Sequence, residues 1–331
     1  MNVLLTGGAG YVGSHVLRVL RSAGECCVVV DNLRSGHPQA AAGADLIELD
    51  LKDTPRLREV LSAKRIDLVI HLAALIEAGE SMLKPEKYFQ NNTMTGLGLL
   101  EAMRQTGVKK MVFSSTAAVY GTPLRVPIEE SDRLEPINPY GASKLCMEYM
   151  LRAYAQAHGM GFVALRYFNV AGAHPDGDIG EDHHPETHLI PVILQVPLGK
   201  RNDIKVFGDD YDTPDGTCIR DYIHVCDLAD AHLLAAQAVE IGKVKVYNLG
   251  NGSGFSVRQV IDACRRVTGH KIPAEVSPRR PGDPPRLVAS SLQAVRELGW
   301  QPKYPHLGLI VEHAWRWHKN HPDGYRSSPA G

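Results

Sequence analysis

The chain has 331 residues, 36 lysines and arginines against 37 aspartates and glutamates, a formal net charge of −1 and 44% hydrophobic residues. This balance leaves no electrostatic footprint for nucleic acid, and it fits a soluble globular protein long enough for one large domain or two lobes. No apolar run approaches the roughly 20 residues of a membrane span, no basic segment precedes an apolar one at the start, and Cys26, Cys27, Cys146, Cys218, Cys226 and Cys264 form no C-x-x-C pair, so they read as reduced thiols of a cytoplasmic protein.

Residues 2–5 form a short apolar run that meets Gly7, Gly8, Gly10 and Gly13. Val12, Val16, Leu17, Val19 and Leu20 then repeat at helical spacing. The pattern is strand, glycine turn, helix. Gly8, Gly10 and Gly13 fit G-x-G-x-x-G, and Gly7, Gly10 and Gly13 fit G-x-x-G-x-x-G. Gly7 suits the tight turn, Gly10 lets the backbone approach a pyrophosphate, and Gly13 lets helix and strand pack closely. The N–H groups of the new helix then face the phosphates at the positive end of its dipole. A second strand over 26–30 ends in Asp31, where a carboxylate accepts from both adenosine ribose hydroxyls and repels a 2′-phosphate. That points to NAD over NADP, with Arg34 nearby as the opposing charge.

A third strand over 44–49 precedes Asp50, and Thr54-Pro55 reads as an N-cap with proline at the first helical position. A helix to about residue 64 and a strand over 68–71 follow. Strict alternation predicts a doubly wound parallel sheet whose ligand lies beyond the carboxyl ends of the strands. At that edge Ala73 and Ala74 either leave room for a cofactor or allow close helix packing. A helix over 85–105 leads to a strand over 110–115, and Ser114, Ser115 and Thr116 put three hydroxyls at the ligand edge, as ligand contacts or as caps.

Residues 139–144 open another helix, on which Tyr140 and Lys144 share a face. A free tyrosine, with a pKa near 10, is a poor base at neutral pH. A neighbouring ammonium lowers an acid's pKa by roughly 1–3 units, and a nicotinium ring above would add to that. Tyr140 is therefore the expected base, taking a hydroxyl proton while hydride leaves the same carbon.

After residue 173 the alternation breaks. Residues 174–188 are rich in His, Asp, Gly and Pro and read as a long loop. His183, His184 and His188 raise the question of a metal, but no carboxylate and histidine pair sits on a clear helix face, so no metal is expected. Helices are predicted over 189–198, 227–239, 256–268 (capped by Ser256) and 291–298, strands over 204–207 and 246–249, and a frayed end over 327–331. The expected division is a Rossmann-like NAD-binding domain over 1–173 and, over 174–331, mainly a smaller lobe with some segments returning to the main sheet.

Several stretches carry a resemblance. They are residues 6–15, Asp31-Asn32-Leu33, Tyr120-Gly121, the Tyr140/Lys144 pair, Arg166-Tyr167-Phe168-Asn169, residues 216–225, Tyr247-Asn248-Leu249-Gly250 and Arg279-Arg280-Pro281-Gly282-Asp283. Over nearly its full length the chain resembles the extended short-chain dehydrogenases/reductases, and among them the UDP-glucose 4-epimerase family. The resemblance implies interconversion of UDP-glucose and UDP-galactose through a 4-keto sugar, with transient hydride transfer to bound NAD, in a cytoplasmic homodimer.

It further implies that Tyr140, Lys144 and Thr116 are catalytic, Lys144 also holding the nicotinamide ribose. NAD would be held by Gly7, Gly10, Tyr11, Val12, Gly13, Asp31, Asn32, Leu33, Ser35, Gly36, Asp50, Leu51, Leu72, Ala73, Ala74, Asn91 and Phe168, together with Thr116, Tyr140 and Lys144. The UDP-sugar would meet Thr116, Tyr140, Asn169, His188, Leu189, Lys205, Val206, Phe207, Arg220, Arg280, Asp283 and Leu287, beneath the loop over 174–188. Arg220 and Arg280 would take the diphosphate, Asn169 one of its oxygens, Asp283 the ribose, and residues 204–207 the uracil.

The chain departs from the pattern at Ile76, where some members carry lysine, at His188, where some carry asparagine, and at Leu287, where some carry tyrosine. Those departures keep a 4-epimerase of UDP-GlcNAc or of a UDP-pentose open. A 4,6-dehydratase would place acids directly after the Ser/Thr, where Ala117 and Ala118 stand. A non-catalytic NAD-binding protein would need neither Tyr140 nor Lys144.

Overall fold

The structure, a computed structural model, describes residues 1–280 and 283–327. Pro281 and Gly282 of the Arg279–Asp283 motif, and the end expected to fray from residue 328 on, lie outside the described residues. Six apolar strands, β1 (Asn2–Thr6), β2 (Cys26–Asp31), β3 (Asp45–Glu48), β4 (Leu68–His71), β5 (Lys110–Thr116) and β6 (Gly161–Tyr167), join Val244–Leu249 in one sheet. Its order is Val244–Leu249, β6, β5, β4, β1, β2, β3, and every pairing is parallel. This is a Rossmann-like doubly wound α/β fold. The chain order reverses between β1 and β4, which opens the ligand crevice at that point.

Both faces of the sheet are covered, as a parallel sheet requires. On one side Val16, Leu17 and Leu20 of α1 (Tyr11–Ser22) pack with Leu228, Ala231 and Ala235 of the Val225–Gln237 helix. On the other, Leu57 and Leu61 of α2 (Thr54–Ala63) pack with Leu99, Leu100 and Met103 of Thr95–Thr106 and with Met147 and Leu151 of Pro139–His158. A separate core joins Ile190, Ile193, Ile204, Val206, Val260, Ile261, Ile310 and Val311, all from beyond residue 171.

Several boundaries differ from the sequence reading. Asp53, not Thr54, caps α2 by accepting from the Arg56 N–H, which moves Pro55 to the second helical position. The helix over 85–105 is interrupted by a π-turn at Phe89–Met94, which separates Pro85–Tyr88 from Thr95–Thr106. The helix from Leu189 stops at Leu194, consistent with Pro197 disfavouring helical backbone in the residue before it. Ser256 does cap Val257–Thr268, in a full capping box with Gln259.

A buried polar network lies beneath the ligand edge. Arg166 on β6 is 1% exposed and donates to Glu148 of Pro139–His158 through Nε at 2.9 Å. Glu148 also accepts from Ser115 Oγ at 2.6 Å. Arg166 Nη1 donates to the Tyr120 hydroxyl at 2.8 Å, and Tyr120 donates to Asn248 Oδ1 at 2.7 Å. Removing one partner of a buried ion pair strands the other charge, at about 3–5 kcal/mol. The network therefore fixes β5, β6, Val244–Leu249 and Pro139–His158 against one another, and with them the residues at the tips of β5 and the helix.

Candidate active site

The glycine turn is shaped by close backbone contact. Gly7 has φ +74°, and a Cβ there would fall 2.7 Å from the Ala73 backbone nitrogen. A Cβ at Gly13 would meet the Gly7 carbonyl oxygen at 2.2 Å, whereas one at Gly10 would meet nothing closer than that same oxygen at 3.4 Å. Gly7 and Gly13 are thus demanded by the protein's own packing. Gly10 keeps clear a space that a phosphate fits. Gly10 is also the N-cap of α1 and offers no side-chain cap, so the first-turn N–H groups of Tyr11, Val12 and Gly13 are available to an anion. The Tyr11 side chain is turned away, donating to the Gly172 carbonyl at 2.7 Å.

Asp31, at the end of β2, accepts from the Ala9 N–H at 3.1 Å and the Leu33 N–H at 2.9 Å. Burial pushes its carboxyl up, and these two bonds pull it back. A Cβ on Gly36 would sit 2.9 Å from Asp31 Oδ1, so glycine keeps the carboxylate approachable. Asn32 Nδ2 donates to Asp50 Oδ2 at 3.2 Å and ties together the tips that follow β2 and β3; Ser35 is exposed beside them. Leu51 is buried in the core behind α2. Leu72, Ala73 and Ala74 are half-buried, and the backbone of Leu72 and Ala73 packs directly against Gly7. The donors and open space suit a dinucleotide with a free ribose diol.

Thr116 ends β5, and Tyr140 opens the Pro139–His158 helix, whose N-cap Asn138 accepts from Gly141 N–H at 2.8 Å. The Thr116 hydroxyl lies close enough to favour the ionised form of Tyr140. Of the three hydroxyls at this edge, Thr116 alone faces Tyr140. Ser114 bonds the Tyr167 hydroxyl, Ser115 bonds Glu148, and Thr116 Oγ1 also accepts from the Ala118 N–H at 3.1 Å. Thr116 thus caps the turn that follows β5 and stands at the expected site.

Lys144 departs from the sequence reading. It is 2% exposed, donates to the Ser114 carbonyl at 2.9 Å and sits 5.1 Å from the centre of the Phe113 ring. Burial pushes its ammonium down to about 7. Tyr140 is pushed up, by burial first and by the Glu77 carboxylate, with the Thr116 hydroxyl acting the other way. The expected lowering of Tyr140 by Lys144 is not found in this geometry, where the buried ammonium is turned to the Ser114 carbonyl.

Two residues that the sequence reading passed over support this edge. Asn92, in the π-turn, accepts from Leu75 N–H at 2.8 Å and donates to Leu75 O at 2.9 Å and Ser143 Oγ at 3.0 Å. It locks the loop after β4 to the catalytic helix, and its neighbour Asn91 donates to it at 3.2 Å. The π-turn is the local signal, since such insertions gather at functional sites. His71 pairs with Thr6 Oγ1 at 2.7 Å, and burial pushes it down to about 3, so it is neutral.

Across the crevice, Arg220 on the Ile219–Arg220 strand pairs with Asp283 at 3.4 Å and lies in register with Leu287. Arg280 stacks on Phe207 at 3.9 Å from the ring centre. Leu287 packs on the cluster of Ala117, Val119, Tyr120, Leu145 and Phe168, against the catalytic helix. Asn169 is exposed at the tip that follows β6. Lys205 is ion-paired with Glu275, and Val206 is buried in the second core, which leaves only its backbone for a ligand. His188 caps the helix that begins at Leu189, and its Nδ1 lies 2.6 Å from Glu181 Oε1, so it faces an acidic loop.

The model of the NAD dependent epimerase/dehydratase family matches residues 3–250. A UDP-glucose 4-epimerase of Halalkalibacterium halodurans is 53% identical over 326 residues, 98% of each chain. A crystal structure of a UDP-glucose 4-epimerase superposes with a TM-score of 0.95 at 52% identity, covering 98% of this chain and 99% of that one. The UDP-glucose 4-epimerase of Bifidobacterium longum, solved with NAD+ and UDP, gives a TM-score of 0.94 at 39% identity over 98% of this chain and 100% of its own.

The Asp31 geometry makes the cofactor's identity testable. NAD is expected to co-purify and to be the main species in mass spectrometry of acid-released cofactor. NADP as the main species would contradict the role given to Asp31.

Proposed function

The chain belongs to the NAD dependent epimerase/dehydratase family, and from that premise we propose how its residues act as an NAD-dependent isomerase that interconverts UDP-glucose and UDP-galactose. The observation that carries this reading is that Thr116, at the end of β5, and Tyr140, in the first turn of the Pro139–His158 helix, come together at the ligand edge of the sheet.

Tyr140 takes the proton of the sugar 4′-hydroxyl and returns it at the end of turnover. Thr116 holds the same oxygen and favours the phenolate. NAD, when bound, supplies the acceptor for the C4′ hydride and the donor that returns it, so the reaction has no net oxidation. The N–H groups at the start of α1 hold its diphosphate, Asp31 its adenosine ribose and Lys144 its nicotinamide ribose. Arg220 and Arg280 clamp the UDP diphosphate, with Asn169 on one oxygen and Asp283 on the ribose. With UDP fixed at that end, the flat 4-keto sugar turns its other face. Ala117 and Ala118 carry no proton-transfer group, so nothing supports loss of the C6 hydroxyl as water. The homodimer is supported by Phe89, Met94 and Tyr149, apolar or aromatic and 37%, 61% and 59% exposed on neighbouring helical segments. Light scattering should give twice the chain mass, and a monomer at micromolar concentration would contradict it. No helix among the described residues is long and apolar enough to cross a membrane. A cytoplasmic location is in keeping with six free cysteines.

Tyr140→Phe is expected to keep NAD content and folding while lowering turnover at least ~10²-fold, the low end for loss of a general base. Steady-state turnover within a few-fold of the parent would remove Tyr140 from this role.

Leucine at 287 leaves room beside the sugar that a tyrosine would fill. Volume alone discriminates by about 1–3 kcal/mol, so UDP-GlcNAc should be converted within roughly 10–200-fold of UDP-glucose in kcat/KM. Leu287→Tyr should abolish that reaction and spare UDP-galactose, as read by NMR of the products. Absence of UDP-GlcNAc turnover in the parent, or its survival in the variant, would show that residue 287 is not the gate.

A further inference from the structure

The loop over 174–188 holds a cluster that the reaction does not use. Glu181, His183, Glu186 and His188 each present one ligand atom, and these atoms all lie within 4.8 Å of one another. The sequence reading set a metal aside because no carboxylate shares a helix face with these histidines. The fold supplies the carboxylates from the loop itself. Glu181 is 3% exposed, and its carbonyl accepts from Trp317 Nε1 at 2.9 Å. Gly180 before it packs on the same indole, where a Cβ would fall 2.3 Å from the ring. Thr187 donates to Glu77 Oε2 at 2.8 Å, and His188 stands at the start of the Leu189–Leu194 helix. The loop is thus anchored on both sides of the four residues.

Three features favour a cation over a plain ion-pair cluster. First, His183 Nδ1 lies 3.2 Å from Glu181 Oε1 and 3.7 Å from Glu186 Oε2, and His188 Nδ1 lies 3.5 Å from Glu186 Oε1. Bonds of about 2.1 Å to a tetrahedral zinc ion put neighbouring ligands roughly 3.4 Å apart. An ion would displace the 2.6 Å His188–Glu181 hydrogen bond, while Glu186 Oε1 also accepts from the Thr187 and His188 N–H groups at 2.8 Å each. Second, His183 Nδ1 is buried and makes no hydrogen bond, although it lies 3.2 Å and 3.7 Å from the two carboxylates. Third, the Glu181 and Glu186 side chains are only 3% and 7% exposed, so their charges lie largely out of water and need a positive partner there. A divalent cation neutralises both.

We propose that Glu181, His183, Glu186 and His188 bind one divalent transition metal of the zinc class. Four protein ligands with no open position make this a structural site that pins the loop against the substrate edge. It assigns His188 to the metal and not to the diphosphate. The neighbouring His174, Asp176 and Asp178 group serves as an internal control: both of its carboxylate side chains are more than half exposed, and they pair with Arg18.

The test uses the full chain with its bound cofactor, washed with a chelator. Zn2+ is titrated in competition with a chromophoric chelator, and Co2+ is added separately for its visible spectrum. The expected result is one zinc per chain and the intense bands of tetrahedral Co2+. Outer-shell substitutions at metal sites cost 10–100-fold in affinity, so loss of a ligand in His183→Ala or Glu186→Gln should cost at least about 100-fold. His174→Ala/Asp178→Asn should change nothing. Retained NAD content shows that each variant is folded, and the Co2+ spectrum of the parent needs no variant at all. The proposal is overturned by no stoichiometric zinc in the parent, by an octahedral Co2+ spectrum, by equal zinc affinity in parent and Glu186→Gln, or by loss of zinc only in the His174 variant.

Discussion

The backbone after β4 presses so closely on the glycine turn that a single methyl group at Gly7 would collide with Ala73. That contact lies at the point where the order of strands reverses, between β1 and β4. It fixes where α1 begins, and so where its N–H groups aim. It also fixes the path of residues 72–77, which Asn92 then ties to the helix that carries Tyr140 and Lys144. The cofactor edge and the proton-transfer edge are in this way two sides of one packed junction. A substitution at Gly7 or Gly13 should therefore disturb both together.

The reacting groups are held by depth more than by local charge. Thr116 and Tyr140 sit at the tips of a strand and a helix whose bodies are cross-linked by Ser115, Glu148, Arg166, Tyr120 and Asn248. Each member of that chain is satisfied, so the network rigidifies without stranding a buried charge. The Tyr140 phenol, in contrast, is raised by burial, with the Thr116 hydroxyl acting the other way.

What the sequence made legible was local. Gly7 and Gly13 express their packing within a few residues, and the alternation of apolar runs was enough to foresee the doubly wound sheet. What it hid depends on residues far apart in the chain. Glu148 meets Arg166 only through sheet packing, Asn92 meets Ser143 across 51 residues, and Lys144 finds the Ser114 carbonyl in place of Tyr140. The loop carboxylates Glu181 and Glu186 face their histidines by loop folding, which no helical periodicity encodes. The β6 strand carries an apolar run, Phe162-Val163-Ala164-Leu165, that ends in the polar Arg166 and so shows no clean alternation.

The reaction assigned to this junction returns to C4′ the same hydride it removed, inside a closed site. UDP-glucose carrying deuterium at C4′, incubated with the purified chain and no added NAD, tests that directly. The UDP-galactose formed should retain the deuterium at C4′, as read by NMR and mass spectrometry. Deuterium lost to solvent, or a requirement for added cofactor at each turnover, would contradict it.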